Sequence, residues 1–223
     1  MRKAVILLLV FAVAAPMCAQ TRQQWRDSLD VLNAQVRRNP GDIDLRLKKA
    51  EANINLEQWD FAVAEYGDIL RLDDQNLAAL YFRAFAYERQ QQYGLARADY
   101  ETFLGLQPRH FEARLGLAHV LQKMGRRTET LDELNTLVEQ HPDSATAYAA
   151  RAAYETELKQ WDTALYDWDE AIRLAPGNVG FAVSKSDILI HLSRFPEARR
   201  ELDAAVRRGA NRAALREWYN RCK

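Results

Sequence analysis

Three kinds of residue in this 223-residue chain could do chemistry: four histidines, two cysteines and 31 carboxylates. Their spacing assembles no familiar reacting centre. His110, His119, His141 and His191 stand far apart, and none has a second histidine four places on, so no helix face offers two imidazoles to one metal ion. The chain lacks an HExxH run, a glycine-rich phosphate loop, a paired-cysteine cluster and a nucleophile elbow. Its scattered carboxylates read as solvated charge. No catalytic residue, metal or cofactor is expected, and the chain reads as a non-enzyme. What the letters do offer is contact chemistry. Tyr81 and Phe85 are one helical turn apart, and aromatics on an open face anchor partners.

Composition narrows the partner. The chain is 48% hydrophobic and 28% charged, which is globular rather than disordered. Lysine plus arginine equals aspartate plus glutamate, so no basic excess is available to neutralise phosphates. A nucleic-acid partner is not expected. Glycine and proline are scarce, and helix formers dominate.

Residues 1–19 are expected to be a signal peptide. Met1-Arg2-Lys3 is basic, Ala4 to Ala15 is an uncharged apolar run, and small residues surround a cut after Ala19. The run is shorter than the ~20 residues of a comfortable span. Two other outcomes stay open, an uncut anchor and lipidation at Cys18, although Pro16 and Met17 suit a lipoprotein site poorly. Membrane association is expected only through this segment. The export signal points to a periplasmic location. Cleavage would leave Cys222 as the one thiol, which reads as incidental at a frayed end.

The contact residues need elements to position them, and the chain repeats every 34 residues. Pro40, Asp74, Pro108, Pro142, Pro176 and Ala210 form one column without an insertion. Units begin at Ile43, Leu77, Phe111, Ala145 and Val179. Their eighth residues are Ala50, Ala84, Ala118, Ala152 and Ser186, and their twentieth are Ala62, Ala96, Thr130, Ala164 and Ala198. Small residues there let helices approach. Bulky ones fill the twenty-fourth column, Tyr66, Tyr100, Leu134, Trp168 and Leu202. The seventeenth holds Trp59, Tyr93, Arg127, Trp161 and Phe195, with the tryptophans read as core wedges. Apolar spacing of three and four predicts two helices per unit. Asp42, Asn76, Ser144 and Asn178 are predicted N-caps, with His110 as the exception in that column.

A 34-residue helix-turn-helix with two small columns, an aromatic column and a closing proline resembles the tetratricopeptide repeat. The fourth column (Arg46, Leu80, Arg114, Tyr148, Ala182) and the seventh (Lys49, Arg83, Leu117, Arg151, Lys185) depart from that family's bulky and leucine preferences. The resemblance implies an all-α fold, an α-solenoid of antiparallel helix pairs. It would have five repeats, an N-terminal half-repeat over residues ~22–38 and a capping helix over 211–223, forming one domain from 20 to 223.

The resemblance also implies a protein or peptide partner on the concave side, lined by the first helices. The second, fifth, ninth and twelfth residues of each unit would face it. The binding candidates are Leu47, Glu51, Tyr81, Phe85, Glu88, Leu115, His119, Val183 and Asp187. The fifth and ninth residues include no Lys, Arg or Asn, so the family's carboxylate clamp for chaperone C-termini is absent. Tyr81 and Phe85 carry a competing reading, in which they pack on a neighbouring unit.

Overall fold

The computed structural model describes residues 21–222. Those residues form twelve helices and no strand. Helix α1 (Arg22–Arg38) is followed by five pairs. First helices are α2 (Ile43–Asn55), α4 (Leu77–Arg89), α6 (Phe111–Lys123), α8 (Ala145–Glu157) and α10 (Val179–His191). Second helices are α3 (Trp59–Leu72), α5 (Tyr93–Leu106), α7 (Arg127–Gln140), α9 (Trp161–Leu174) and α11 (Phe195–Arg207), and α12 (Arg216–Arg221) ends the stack. The expected leader, residues 1–19, lies outside the described residues.

Capping sets the starts of the first helices. Side chains of Asp42, Asn76, Ser144 and Asn178 accept from backbone N–H groups two or three residues on. His110 is no exception. Its Nδ1 accepts from Ala113 N at 3.2 Å, so an imidazole fills the role that carboxylate, amide or hydroxyl fills elsewhere.

The first helices end by a device that the residue pattern did not predict. Glu57, Gln91, Gly125, Lys159 and Ser193 recur every 34 residues with φ between 58° and 72°. The N–H after each reaches back five residues, as in Gln58 N to Asn53 O at 2.8 Å and Gln160 N to Glu155 O at 2.9 Å. This is the glycine-type helix stop, made four times without glycine.

The small columns pack as predicted. Ala50, Ala84, Ala118, Ala152 and Ser186 are buried, as are Ala62, Ala96, Thr130, Ala164 and Ala198. Tyr66, Tyr100, Leu134, Trp168 and Leu202 fill the space beside them. Tyr100 lies so close to the next unit that a Cβ on Gly116 would fall 2.6 Å from its ring. The tryptophans at the seventeenth place are only half-buried. They wedge against the following unit, Trp59 edge-on to Phe85 and Trp161 beside His191.

The seventh-column cations that looked like departures have partners. The twenty-third residue of every unit is acidic: Glu65, Asp99, Glu133, Asp167 and Glu201. Lys49, Arg83, Arg151 and Lys185 each reach that acid across the helix pair. Where the seventh residue is Leu117, Arg114 reaches Glu133 instead. A charged column thus fastens first helix to second in all five units.

The C-terminal end differs from expectation. The capping helix was expected over 211–223, but residues 211–215 form successive tight turns, and α12 begins at Arg216. Gly209 has φ 106°, a left-handed stop that breaks the chain from α11. Cys222 is not a frayed thiol. It is 6% exposed and packs into the core shared by α9, α10 and α11, where burial raises its pKa.

Candidate binding groove

Successive first helices meet: α2 packs on α4, α4 on α6, and α8 on α10. Successive second helices do not pack on one another to that extent. The first helices therefore line the shorter, inner face, and their outward residues form its floor.

The described structure separates the nine candidates into three groups. Glu51 is exposed on the floor, and Leu47 beside it is half-buried against the core under Ala50 and Tyr66. Tyr81 and Phe85 come next. Tyr81 is hemmed by rings, Tyr100 at 5.9 Å, Phe103 at 5.9 Å and His110 at 5.9 Å. Burial first, then the charges of Glu112 and Glu88, push its phenol above the usual range, so it stays neutral. Much of Tyr81 thus serves the junction between units. Phe85 meets Trp59 edge-on at 6.1 Å, and Arg89 lies 5.5 Å over the same indole. Both aromatics remain half-exposed.

The third group is tied into bridges between units. Glu88 bonds His119 Nδ1 at 2.7 Å, joining the second unit to the third. Asp187 accepts from Trp218 Nε1 at 3.1 Å and from Arg221 Nη1 at 2.6 Å, fastening α12 to α10. Leu115 and Val183 are half-buried in adjoining core clusters. Gln122 donates to Glu157 in the same manner. These bridges were not foreseen from the sequence. For the Glu88–His119 and Gln122–Glu157 bridges the signal is a polar residue at the twelfth place facing one at the ninth or thirteenth place of the next unit.

Charge on this face has one sign. Among the second, fifth, ninth and twelfth residues stand Asp44, Glu51, Glu88, Glu112 and Asp187, with no Lys or Arg. Glu88 and Asp187 are engaged, whereas Asp44, Glu51 and Glu112 are exposed in the first three units. No group of three or more His, Cys, Asp or Glu among the described residues is arranged to hold a metal ion.

The groove and the columns have counterparts in known proteins. Residues 87–154, most of the second unit, the whole third and the start of the fourth, match the family model described as tetratricopeptide repeat. Over that span the chain carries tetratricopeptide repeats. The DnaJ protein P58IPK homolog B of Oryza sativa subsp. japonica is 30% identical over 131 residues, which span 57% of this chain and 27% of that protein. Homolog A of the same plant is 22% identical over 208 residues, spanning 70% and 44%. The chain thus spans less than half the length of these relatives.

Among solved structures, the tetratricopeptide-repeat protein YrrB, described as having an unusual peptide-binding site, superposes with TM-score 0.62 at 19% identity. The match covers 81% of this chain and 93% of YrrB. A repeat protein from Parabacteroides merdae gives 0.62 at 19% identity, over 90% and 78%. MamA from Desulfovibrio magneticus gives 0.62 at 17% identity, over 74% and 92%. At these identities the likeness is one of fold.

Proposed function

We propose that this tetratricopeptide-repeat protein is a non-catalytic scaffold that acts after export and holds a peptide or a protein in its inner groove. The observation that carries the reading is the floor of the first three units. There half-exposed Leu47, Tyr81 and Phe85 adjoin the exposed carboxylates of Asp44, Glu51 and Glu112. Apolar anchors beside exposed charges form a surface that a partner can desolvate and orient upon. Four other polar floor residues, Glu88, His119, Gln122 and Asp187, are already engaged in bridges between elements. The peptide-binding description of YrrB supports the same use of the fold.

Site-specific cross-linking tests this in the exporting cell. A photoreactive residue at Phe85 or Glu51 should trap one partner, and one at exposed Leu95 on the second helix should not. Equal trapping at both faces would end the groove reading. Phe85→Ala is the preferred loss-of-binding variant. Tyr81→Ala would also open the junction to Tyr100.

A second reading rests on Cys18 and the apolar run before it. In it the protein is a membrane-tethered assembly factor for an envelope complex, through a lipid on Cys18 or an uncut segment. No helix among the described residues is long and apolar enough to cross a membrane. Intact-mass spectrometry of the N-terminus decides: a free Gln20 supports the soluble periplasmic form, and an acylated Cys18 the tethered one.

A further inference from the structure

The end of the solenoid carries charge of the opposite sign. Arg199 on α11, Arg212 in the turn after it and Arg216 at the start of α12 line one cavity with Ala213, Tyr219 and Asn220. Its volume is about 430 Å³. Three guanidinium groups around one hollow repel each other, and the local compensation is small. Among the described residues, Asp203 is the one carboxylate that meets this set. It accepts from Tyr219 Oη at 2.6 Å and lies 3.9 Å from Arg212 Nη1. Arg212 also lies over the Tyr219 ring at 4.7 Å, which holds its fork in place. Arg199 and Arg216 have no carboxylate within ion-pair distance among the described residues. What sets these arginines apart is that three of them share one hollow, whereas Arg46, Arg83, Arg114 and Arg151 each meet an acid between the helices of their own unit.

We propose that this cavity is a binding site for a small polyvalent oxyanion, a compound bearing phosphoryl or carboxylate groups. The guanidinium fork matches either group through paired N–H donors. Counting the described residues, two positive charges remain after Asp203, so a monovalent anion would leave the site half-neutralised. The hollow is open to solvent and its arginines are exposed, so a ligand would be held at the surface by its charged groups. Tyr219 contributes a ring wall without adding charge. Burial, then its bond to Asp203, push its phenol up to about 12, so it remains a neutral donor. Asn220 adds an amide that can donate to the same ligand. This site lies beyond the groove of the first helices, and neither depends on the other.

Isothermal titration of the full chain with tripolyphosphate, citrate and acetate tests the proposal. Saturable one-to-one binding is expected for tripolyphosphate or citrate but not acetate, and the stronger of the two distinguishes a phosphoryl from a carboxylate ligand. Arg199→Ala with Arg216→Ala should weaken binding about a hundredfold, roughly tenfold for each guanidinium removed from the ligand. Arg200→Ala with Arg207→Ala removes the same charge from exposed places on α11 outside the cavity. That control should change affinity by no more than about twofold. Circular dichroism melting of both double variants checks that they fold. Two results overturn the proposal: equal weakening in the two double variants, which means diffuse attraction, or no saturable binding of either polyanion.

Discussion

The odd and even units of this solenoid fasten their two helices differently, and the difference follows side-chain reach. In the second and fourth units, Arg83 and Arg151 at the seventh place grip Asp99 and Asp167 with two parallel bonds of 2.6 to 2.9 Å. In the first and third, Arg46 and Arg114 at the fourth place reach Glu65 and Glu133 from one turn earlier. Those two arginines also donate to Pro40 O and Pro108 O, tying in the turn that precedes each unit. The fifth unit uses Lys185 with Glu201. The short acid stands opposite the close, forked arginine. The longer acid stands opposite the distant arginine or the lysine. The acidic column is the constant, and cation and acid length vary together to span one gap.

Burial decides how much each arrangement matters. The side chain of Asp167 is 2% exposed and that of Glu133 is 25%. Asp167→Ala strands Arg151 inside the helix pair and should cost about 3–5 kcal/mol in urea unfolding, the usual loss when one member of a buried pair goes. Glu133→Ala removes an acid that itself lies nearer to water and leaves Arg114, 11% exposed, still bound to Pro108 O, so a smaller loss of about 1–3 kcal/mol is expected. Equal losses would show that the two arrangements are energetically one.

The length rule gives a smaller and more specific effect. Asp167→Glu keeps the charge but crowds the fork, and Glu133→Asp keeps the charge but falls short of Arg114. Each should cost roughly 1–2 kcal/mol, from overpacking in the first and a broken charged hydrogen bond in the second. Charge alone would make both swaps silent in a denaturation curve, and the matching of reach would then be an accident.

The fourth unit adds a buried carboxyl that the pattern of ion pairs leaves partly unsatisfied. Glu155 is 7% exposed, and its Oε2 has no hydrogen-bond partner. Burial first and Asp167 second raise its pKa, against weaker lowering by Thr163 and Arg151. A carboxyl raised on folding binds protons more tightly in the native state. Its contribution is fully present below the unfolded-state value and is lost as pH rises through the folded one. Glu155→Gln should therefore stabilise the protein at neutral pH, by less than about 1 kcal/mol. The gain should vanish on acidification below the ordinary glutamate range. Melting temperatures across that pH window test this, and a gain that is independent of pH would refute the assigned cause.

These contrasts explain what could be read in the letters. The register of all five units was legible because small residues recur where helices touch, and size is a local property of a letter. The acid column was equally visible, yet its meaning depends on partners 16 or 19 residues away, so Lys49 and Arg151 looked like faults until the packing paired them. The groove was legible as a face but not as a surface. Tyr81 and Phe85 were rightly placed on one helix side, while the rings of Tyr100, Phe103 and Trp59 against them come from other helices. Asp187 read as a groove acid because the letters foretold a capping helix but not that its Trp218 and Arg221 would meet this carboxylate.

The turn column offers the last and smallest test, because there the third and fourth units separate on backbone rather than charge. The third unit has Gly125 at the left-handed position, while the fourth has Lys159, at φ 72° and 61°. An L-residue there crowds its Cβ against the following carbonyl, a cost that glycine does not carry. Relief in Lys159→Gly is offset by the greater freedom of glycine in the unfolded chain, so the net gain should be roughly 0.5 kcal/mol. Gly125→Ala should lose about 1 kcal/mol by the same steric cause. Nothing lies within 4 Å of a Cβ built on Gly125, so any loss reports the backbone alone. A neutral Gly125→Ala in equilibrium unfolding would mean that the turn relaxes, and that the repeated helix stop is held by its hydrogen bonds without strain.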